Sequence, residues 1–287
     1  MVTIVGFMVV IGCVLGGFTW AGGHVMHLWH PSEVLTIGGA ALGAAIVMSP
    51  MKVLKDTVKG VIDCFKGNPF NKALHEELFK LMYELFKTAR RNGLLALESH
   101  LSNPHDSEIF HRYPKIHHNH HITEFIVGCL APIMEGSVKP DALPKLLETE
   151  IKTMEEEHHA ATGVMSKTAD GLPGFGIVAA VLGIVITMGH ISGPVEEIGH
   201  KVGAALVGTF LGILLSYGFI APLVVKMEAN GLSEANFFRT IANIVQGFVS
   251  DLPPKVAIEQ ARRSLASEVR PTREELENMF KAVDAAG

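Results

Sequence analysis

The stretch LPGFGIVAAVLGIVITM at residues 172–188, followed after a short turn by VGAALVGTFLGILLSYGFIAPLVV at residues 202–225, decides the fold. Each run is apolar and long enough, or nearly so, to cross a membrane, which takes about 20 residues of helix. Lipid gives the backbone no hydrogen-bond partner, so a lone run of this kind has to be helical there. The turn between the runs carries Gly193, Pro194, Glu196 and Glu197. Pro173 and Pro222 stand near the cytoplasmic ends of the two runs. A proline inside a helix removes one N–H and crowds the carbonyl a turn earlier, which predicts a point of bending.

Two further apolar runs precede this pair, Thr3 to Ala21 and Leu35 to Met48. With 48% hydrophobic residues and a mean hydropathy of +0.31, the chain is richer in apolar residues than soluble domains usually are. The first run has no Lys or Arg before it and no small-x-small cleavage site, so it is expected to be a retained span rather than a signal peptide. Gly12 and Gly16, Gly39 and Gly43, and Gly208 and Gly212 are each four apart. That interval lets helix backbones approach closely in lipid and favours a tight bundle or oligomer.

Charge gives the orientation. No Lys or Arg occurs in residues 1–50, whereas 15 of the 24 lie in 51–171, eight in 226–287, and one, Lys201, in the 189–201 turn. Positive charge stays cytoplasmic. The N-terminus and both short turns therefore face outward, and the 51–171 segment and the tail face the cytoplasm. The net charge of −5 and the lack of a basic run with aromatic neighbours argue against nucleic acid as a partner. Cys13, Cys64 and Cys129 are scattered and suggest packing residues, not a disulfide framework.

The reading divides the chain into spans one and two (1–50), a cytoplasmic helical segment (51–171), spans three and four (172–225) and a helical tail (226–287). In the second segment, Leu74, Leu78, Leu81, Met82, Leu85 and Phe86 form an amphipathic stripe that Asn92-Gly93 ends. A short helix, Leu94 to Leu101, follows; His111 to His121 reads as a loop, and Ile122 to Met134 and Ala142 to His159 as helices. In the tail, Leu232 to Val249 carries Phe237, Phe238, Ile241, Ile244, Val245 and Phe248 on one face and is expected along the membrane surface. Thr272 with Glu275 forms a capping-box pattern opening a last helix.

The four apolar runs, bounded as above, hold no Asp, Glu, Lys, Arg or His. Passing protons across a membrane normally takes an ionisable group in the span. The chain either conducts nothing or borrows a carboxylate from a partner. Its own polar groups there are Thr187, Thr209, Ser216 and Tyr217, and such hydroxyls commonly just bond the carbonyl a turn back. His117, His118, His120 and His121 suggest either a metal site or a solvated connection. His24, His27, His30, His190 and His200 sense external pH or decorate the surface. Arg90 and Glu98 flank the Asn92-Gly93 turn, as solvated charges or as a face for a protein partner. No phosphate loop, nucleophile elbow or zinc-protease motif occurs, so an enzyme is not expected.

Five stretches narrow these alternatives: residues 172–181, 207–214 and 217–223, Ser107-Glu108-Ile109-Phe110 with Tyr113-Pro114, and Pro253-Pro254. Together they resemble the MotA family of flagellar motor stator proteins, over nearly the whole chain. The resemblance implies an all-α membrane protein with four spans, a large cytoplasmic domain between spans two and three, and a bacterial inner-membrane location. It implies a ring of five copies around two copies of MotB, whose membrane Asp carries the ion, and torque delivered to the rotor protein FliG. Arg90 and Glu98, with Glu150, fall on the family's rotor-facing charges; Pro173 and Pro222 on its functional prolines; Thr209 on its polar fourth-span position. Sodium-driven relatives carry hydroxyls at the positions of Ala180 and Gly208, so H⁺ is the expected ion, with no cofactor. A proton-driven energiser of the ExbB or TolQ kind and a passive membrane scaffold are the alternatives.

Overall fold

The computed structural model describes residues 2–286. Among them every regular element is helical: α1 (Val2–Trp20), α2 (Pro31–Met48), α3 (Met51–Lys66), α4 (Lys72–Asn92), α5 (Glu98–Ser102), α6 (Glu108–His111), α7 (Pro114–His117), α8 (His120–Met134), α9 (Leu143–Met188), α10 (Val195–Ile213), α11 (Ala221–Val249), α12 (Pro254–Ser264) and α13 (Arg273–Ala286). Four helical stretches are long and apolar enough to span a membrane: Val2–Trp20, Val25–Met48, Leu143–Met188 and Val195–Val249. The expected all-α class with four spans stands.

The chain forms two compact units, each built from two separate pieces of sequence. The first comprises residues 1–67 and 156–230, and the second residues 68–155 and 231–287.

In the first unit, Ile37 and Ala41 of α2 pack with Leu172 and Ala179 of α9, backed by Phe175, Leu211, Leu215 and Ile220. Phe7 of α1 meets Phe65 edge-on and Phe219 at a tilt, while Cys64, Leu223 and Met227 form a second small cluster. Some polar ties join residues far apart in sequence. Thr57 Oγ1 donates to the carbonyls of Val53 and Ala161, Lys52 pairs with Glu157, and Thr3 Oγ1 donates to the Cys64 carbonyl. No residue of α1 is buried, and Val178, Val181, Leu182, Val185 and Ile186 of α9 are also uncovered within one chain. Apolar faces of this size call for lipid or another protein surface.

The second unit has the larger core. Leu78, Phe79, Leu81, Met82, Leu85 and Phe86 of α4 are fully buried. They pack with Ile122, Phe125 and Ile126 of α8, Phe237, Phe238 and Ile241 of α11, and Leu276, Met279 and Phe280 of α13. Asn71 caps α4, its side chain accepting from the Leu74 N–H, and Gly93 ends it at φ +86°, a conformation that costs a residue without Cβ little. The Thr272–Glu275 capping box forms as expected: the Glu275 N–H donates to Thr272 Oγ1 at 3.1 Å and the Thr272 N–H to Glu275 Oε2 at 2.6 Å.

Four expectations are corrected. The second span begins at Pro31, not at Leu35, so its first turn includes Glu33. Ala142 to His159 and the third span are one helix, because α9 runs through Pro173. Residues 111–121 are mostly short helices, since Pro114 suits a first helical position and Asn119 caps α8 by accepting from the Ile122 N–H. The apolar face of Leu232 to Val249 is sealed in the core, with Phe237, Phe238, Ile241, Ile244 and Val245 fully buried and Phe248 stacked on Phe86 at 3.8 Å. A stripe at helical spacing looks the same whether lipid or protein covers it.

Candidate functional site

Helices α9 and α10 meet backbone to backbone. A Cβ placed on Gly176 would lie 2.8 Å from the Gly208 carbonyl oxygen and 3.2 Å from the Gly212 Cα. One on Gly212 would lie 2.6 Å from the Leu172 carbonyl oxygen, and one on Gly183 would lie 2.8 Å from the Ala205 Cβ. The Gly208/Gly212 spacing thus works within the chain as small residues do between membrane helices. The other two pairs do not: nothing lies within 4 Å of a Cβ on Gly12, Gly16, Gly39 or Gly43.

Two departures from regular helix flank this contact. Pro173 has no N–H for the carbonyl four residues back, that of Ala169. The Ser216 hydroxyl donates to that carbonyl at 2.7 Å, so α9 passes the proline without a break. On the other arm of the hairpin, Leu214–Ile220 is a π-helix, in which the Ala221 N–H reaches back five residues to the Ser216 carbonyl. The wider turn ends just before Pro222. Segments of this kind mark functional sites in many helices. Thr187 behaves as membrane hydroxyls commonly do, bonding the Gly183 carbonyl a turn back at 2.8 Å.

The structure brings Ala180, Gly208 and Thr209 together: a Cβ on Gly208 would stand 3.3 Å from the Ala180 nitrogen, and Thr209 is the next residue. Pro173 is half-buried, whereas Pro222 and Tyr217 are exposed. A residue the sequence did not single out joins them. Glu33 of α2 is 8% exposed, its Oε2 has no hydrogen-bond partner, and that oxygen lies 2.8 Å from where a Gly208 Cβ would be. The available signal was Glu33's place two residues after Pro31, the pattern of a helix start. The same end of the unit holds a cleft of about 470 Å³ lined by His30, Glu196, Glu197, His200, Lys201 and Ala204. The His27 ring lies 5.9 Å from that of His200.

The charged stretch at the end of α4 is a separate surface. Arg90 reaches the Asp251–Leu252 turn, donating to those two carbonyls at 2.8 and 3.1 Å. Asp251 holds φ +63° there. Glu98, the first residue of α5, and Glu150 on α9 are exposed. Asp284 braces α4 from α13: Lys87 is 3.0 Å away, and the Tyr83 hydroxyl donates to it at 3.0 Å. Those bonds, the Lys87 one foremost, hold the Asp284 carboxyl below its ordinary range. The His105, His111, His117 and His120 rings cluster at 4.4–5.6 Å. Among the described residues no three His, Cys, Asp or Glu side chains converge on a metal position.

The family model described as Motility protein A N-terminal matches residues 4–93, and that of the MotA/TolQ/ExbB proton channel family matches residues 117–240. The chain is 36% identical to the motility protein A of Salmonella typhimurium over 283 residues, 99% of this chain and 96% of that protein. It is also 36% identical to the chemotaxis protein LafT of Vibrio parahaemolyticus over 272 residues, 95% of each. In fold it resembles the solved structure of C. jejuni MotAB, with a TM-score of 0.78 at 22% identity over 94% of this chain and 98% of that one. It likewise resembles the flagellar MotAB stator complex from Bacillus subtilis, with a TM-score of 0.75 at 24% identity over 96% and 98%.

Proposed function

The chain belongs to the motility protein A family, and from that premise we propose that it is the membrane stator subunit of a bacterial flagellar motor. With MotB it forms a complex in the inner membrane that turns ion flow into torque on the rotor. Five copies surround two copies of MotB, the N-terminus and both short turns face outward, and the large helical segment and tail face the cytoplasm. The uncovered apolar faces of α1 and α9 support an assembly in lipid, and the Lys and Arg distribution supports the orientation.

The observation that carries this reading is the α9–α10 hairpin. Its backbone contact at Gly176, Gly208 and Gly212 joins Pro173, bridged by Ser216, to the π-helical turn before Pro222. A pair of helices locked together at one level and irregular just below it is suited to stepping between two packings. A proton entering from outside neutralises the membrane Asp of MotB beside Thr209. Loss of that charge in a low dielectric removes a large solvation penalty, contacts near Pro173 and Pro222 shift, and the ring steps around the MotB pair. Arg90, Glu98 and Glu150 then carry the motion to complementary charges on FliG.

Proton coupling is favoured because dehydrating Na⁺ takes several oxygen ligands, and Ala180 and Gly208 have no side-chain oxygen, leaving Thr209 alone of the three. The match to the Motility protein A N-terminal model over residues 4–93 favours the stator over an ExbB- or TolQ-like energiser. This is a channel family rather than a known class of enzyme. The test is complementation of a stator-null strain with external Na⁺ varied. Swimming that is restored and insensitive to Na⁺ is expected. Swimming that tracks Na⁺ would overturn the choice of ion, and none at all, with the chain and MotB both inserted, would overturn the function.

A further inference from the structure

An acid at the third position of a helix usually reaches back to the free N–H groups of the first turn. Glu33 does not. Its N–H donates to the His30 carbonyl at 3.1 Å, but its Oε2 is buried with no partner and lies against the Gly208 face of α10. Gly208 leaves room there: a methyl group on it would collide with Oε2 at 2.8 Å and press on the Ala179 Cβ at 3.1 Å. A carboxyl group with one oxygen hidden from water and given no hydrogen-bond donor is favoured there by a proton or a cation beside it. The groups facing it from α9 and α10, Ala179, Ala180 and Gly208, cannot titrate. The ionisable residue acting on it is His30, which precedes α2 as its N-cap. The nearby cleft adds Glu196, Glu197, His200 and Lys201, of which Glu197 and Lys201 pair with each other at 2.9 Å.

The cleft reaches Ala204, one helical turn before Gly208, so the order along α10 is open cleft, Ala204, Glu33 against Gly208, then Thr209. We propose that Glu33 is a proton-holding site of this chain's own, loaded from the cleft and discharged toward the partner's membrane carboxylate beside Thr209. In loading, a proton from water in the cleft forms an O–H bond on the Glu33 carboxylate. In discharge that bond breaks, the proton passes to the partner's carboxylate, and the Glu33 carboxylate returns. The inference rests on the stator reading above.

The test uses the full chain with MotB in a stator-null strain, and the purified complex in vesicles. Glu33→Gln keeps the shape and removes the exchangeable acid; Glu33→Asp keeps the acid. Glu33→Gln is expected to slow swimming and vesicle proton flux several-fold and to flatten their dependence on external pH, with Glu33→Asp falling between it and wild type. A Glu33→Gln complex that matches wild-type flux at every external pH overturns the proposal. Carbodiimide labelling of the wild-type complex, read by mass spectrometry, needs no variant and decides the matter if Glu33→Gln fails to assemble. Labelling at Glu33 that weakens as pH rises is expected, and an unlabelled Glu33 overturns the proposal. Failure of the wild-type chain itself to restore motility marks failure of the stator reading instead.

Discussion

The Ser216 hydroxyl supplies, from α10's π-helical extension, the hydrogen bond that Pro173 denies to the Ala169 carbonyl of α9. One proline is bridged by a side chain from the neighbouring helix, and the other follows a widened turn. The two irregularities share a residue, since the Ser216 carbonyl accepts from the Ala221 N–H.

This relationship predicts a coupled pair of mutations. Ser216→Ala leaves a buried carbonyl unmet, at a cost of about 1–3 kcal/mol. In a Pro173→Ala background the new N–H at position 173 satisfies the Ala169 carbonyl, so Ser216→Ala should then cost little. A double-mutant cycle on thermal unfolding of the purified complex measures the coupling. Additive effects would show that the bond carries no weight. Pro173→Ala alone should reduce swimming while MotB still co-purifies.

Glycines of equal spacing should differ in consequence. Gly212→Ala places a Cβ 2.6 Å from the Leu172 carbonyl oxygen, a backbone atom that cannot swing aside. It should lower the amount of folded protein in the membrane sharply. Gly43→Ala meets nothing within 4 Å in the chain and should leave the level of inserted protein unchanged. Membrane fractionation of the two variants checks this.

The charges on either side of Gly93, Arg90 of α4 and Glu98 of α5, should separate torque from stability. Glu98 is exposed, so Glu98→Lys should alter torque without changing the unfolding midpoint. Arg90 bonds two carbonyls of the Asp251–Leu252 turn, so Arg90→Glu should do both. Charge reversal on FliG should restore torque to Glu98→Lys and only part of it to Arg90→Glu. Torque measured on tethered cells, with unfolding followed in detergent, tests the distinction.

One carboxylate of the second unit gives a defined pH effect. Bonds from Arg262 lead the causes that lower Glu259 from the usual 4.5 to about 2. Its folded pKa lies below the unfolded one, so its stabilisation is complete above about pH 4.5 and is lost as pH falls toward about 2. Glu259→Gln should destabilise α12 at neutral pH, and the gap from wild type should close over that acidic window. Hydrogen exchange of α12 amides against pH reads it; a gap that persists at the acid end would refute the assignment.

Much of this was legible in the residues. Apolar runs with nowhere to go but lipid gave the four spans, and the stripe Leu74 to Phe86, ended by Gly93, gave the central helix of the second unit. Pairwise facts were hidden. An amphipathic face such as Phe237 to Phe248 has the same period under lipid as under protein, so its burial could not be read. A helix start is fixed less sharply by pattern than its middle, and four residues at the head of α2 separated a span without an acid from one that holds Glu33.

Length and hydropathy determined by themselves that the chain carries membrane helices, because a lone apolar run in lipid can pair its backbone only as a helix. Only the tertiary structure decided which glycines touch, that Ser216 answers Pro173, and that Glu33 turns inward against Gly208. Those depend on how neighbouring helices are rotated about their axes, and that rotation is set by the fit of many side chains at once.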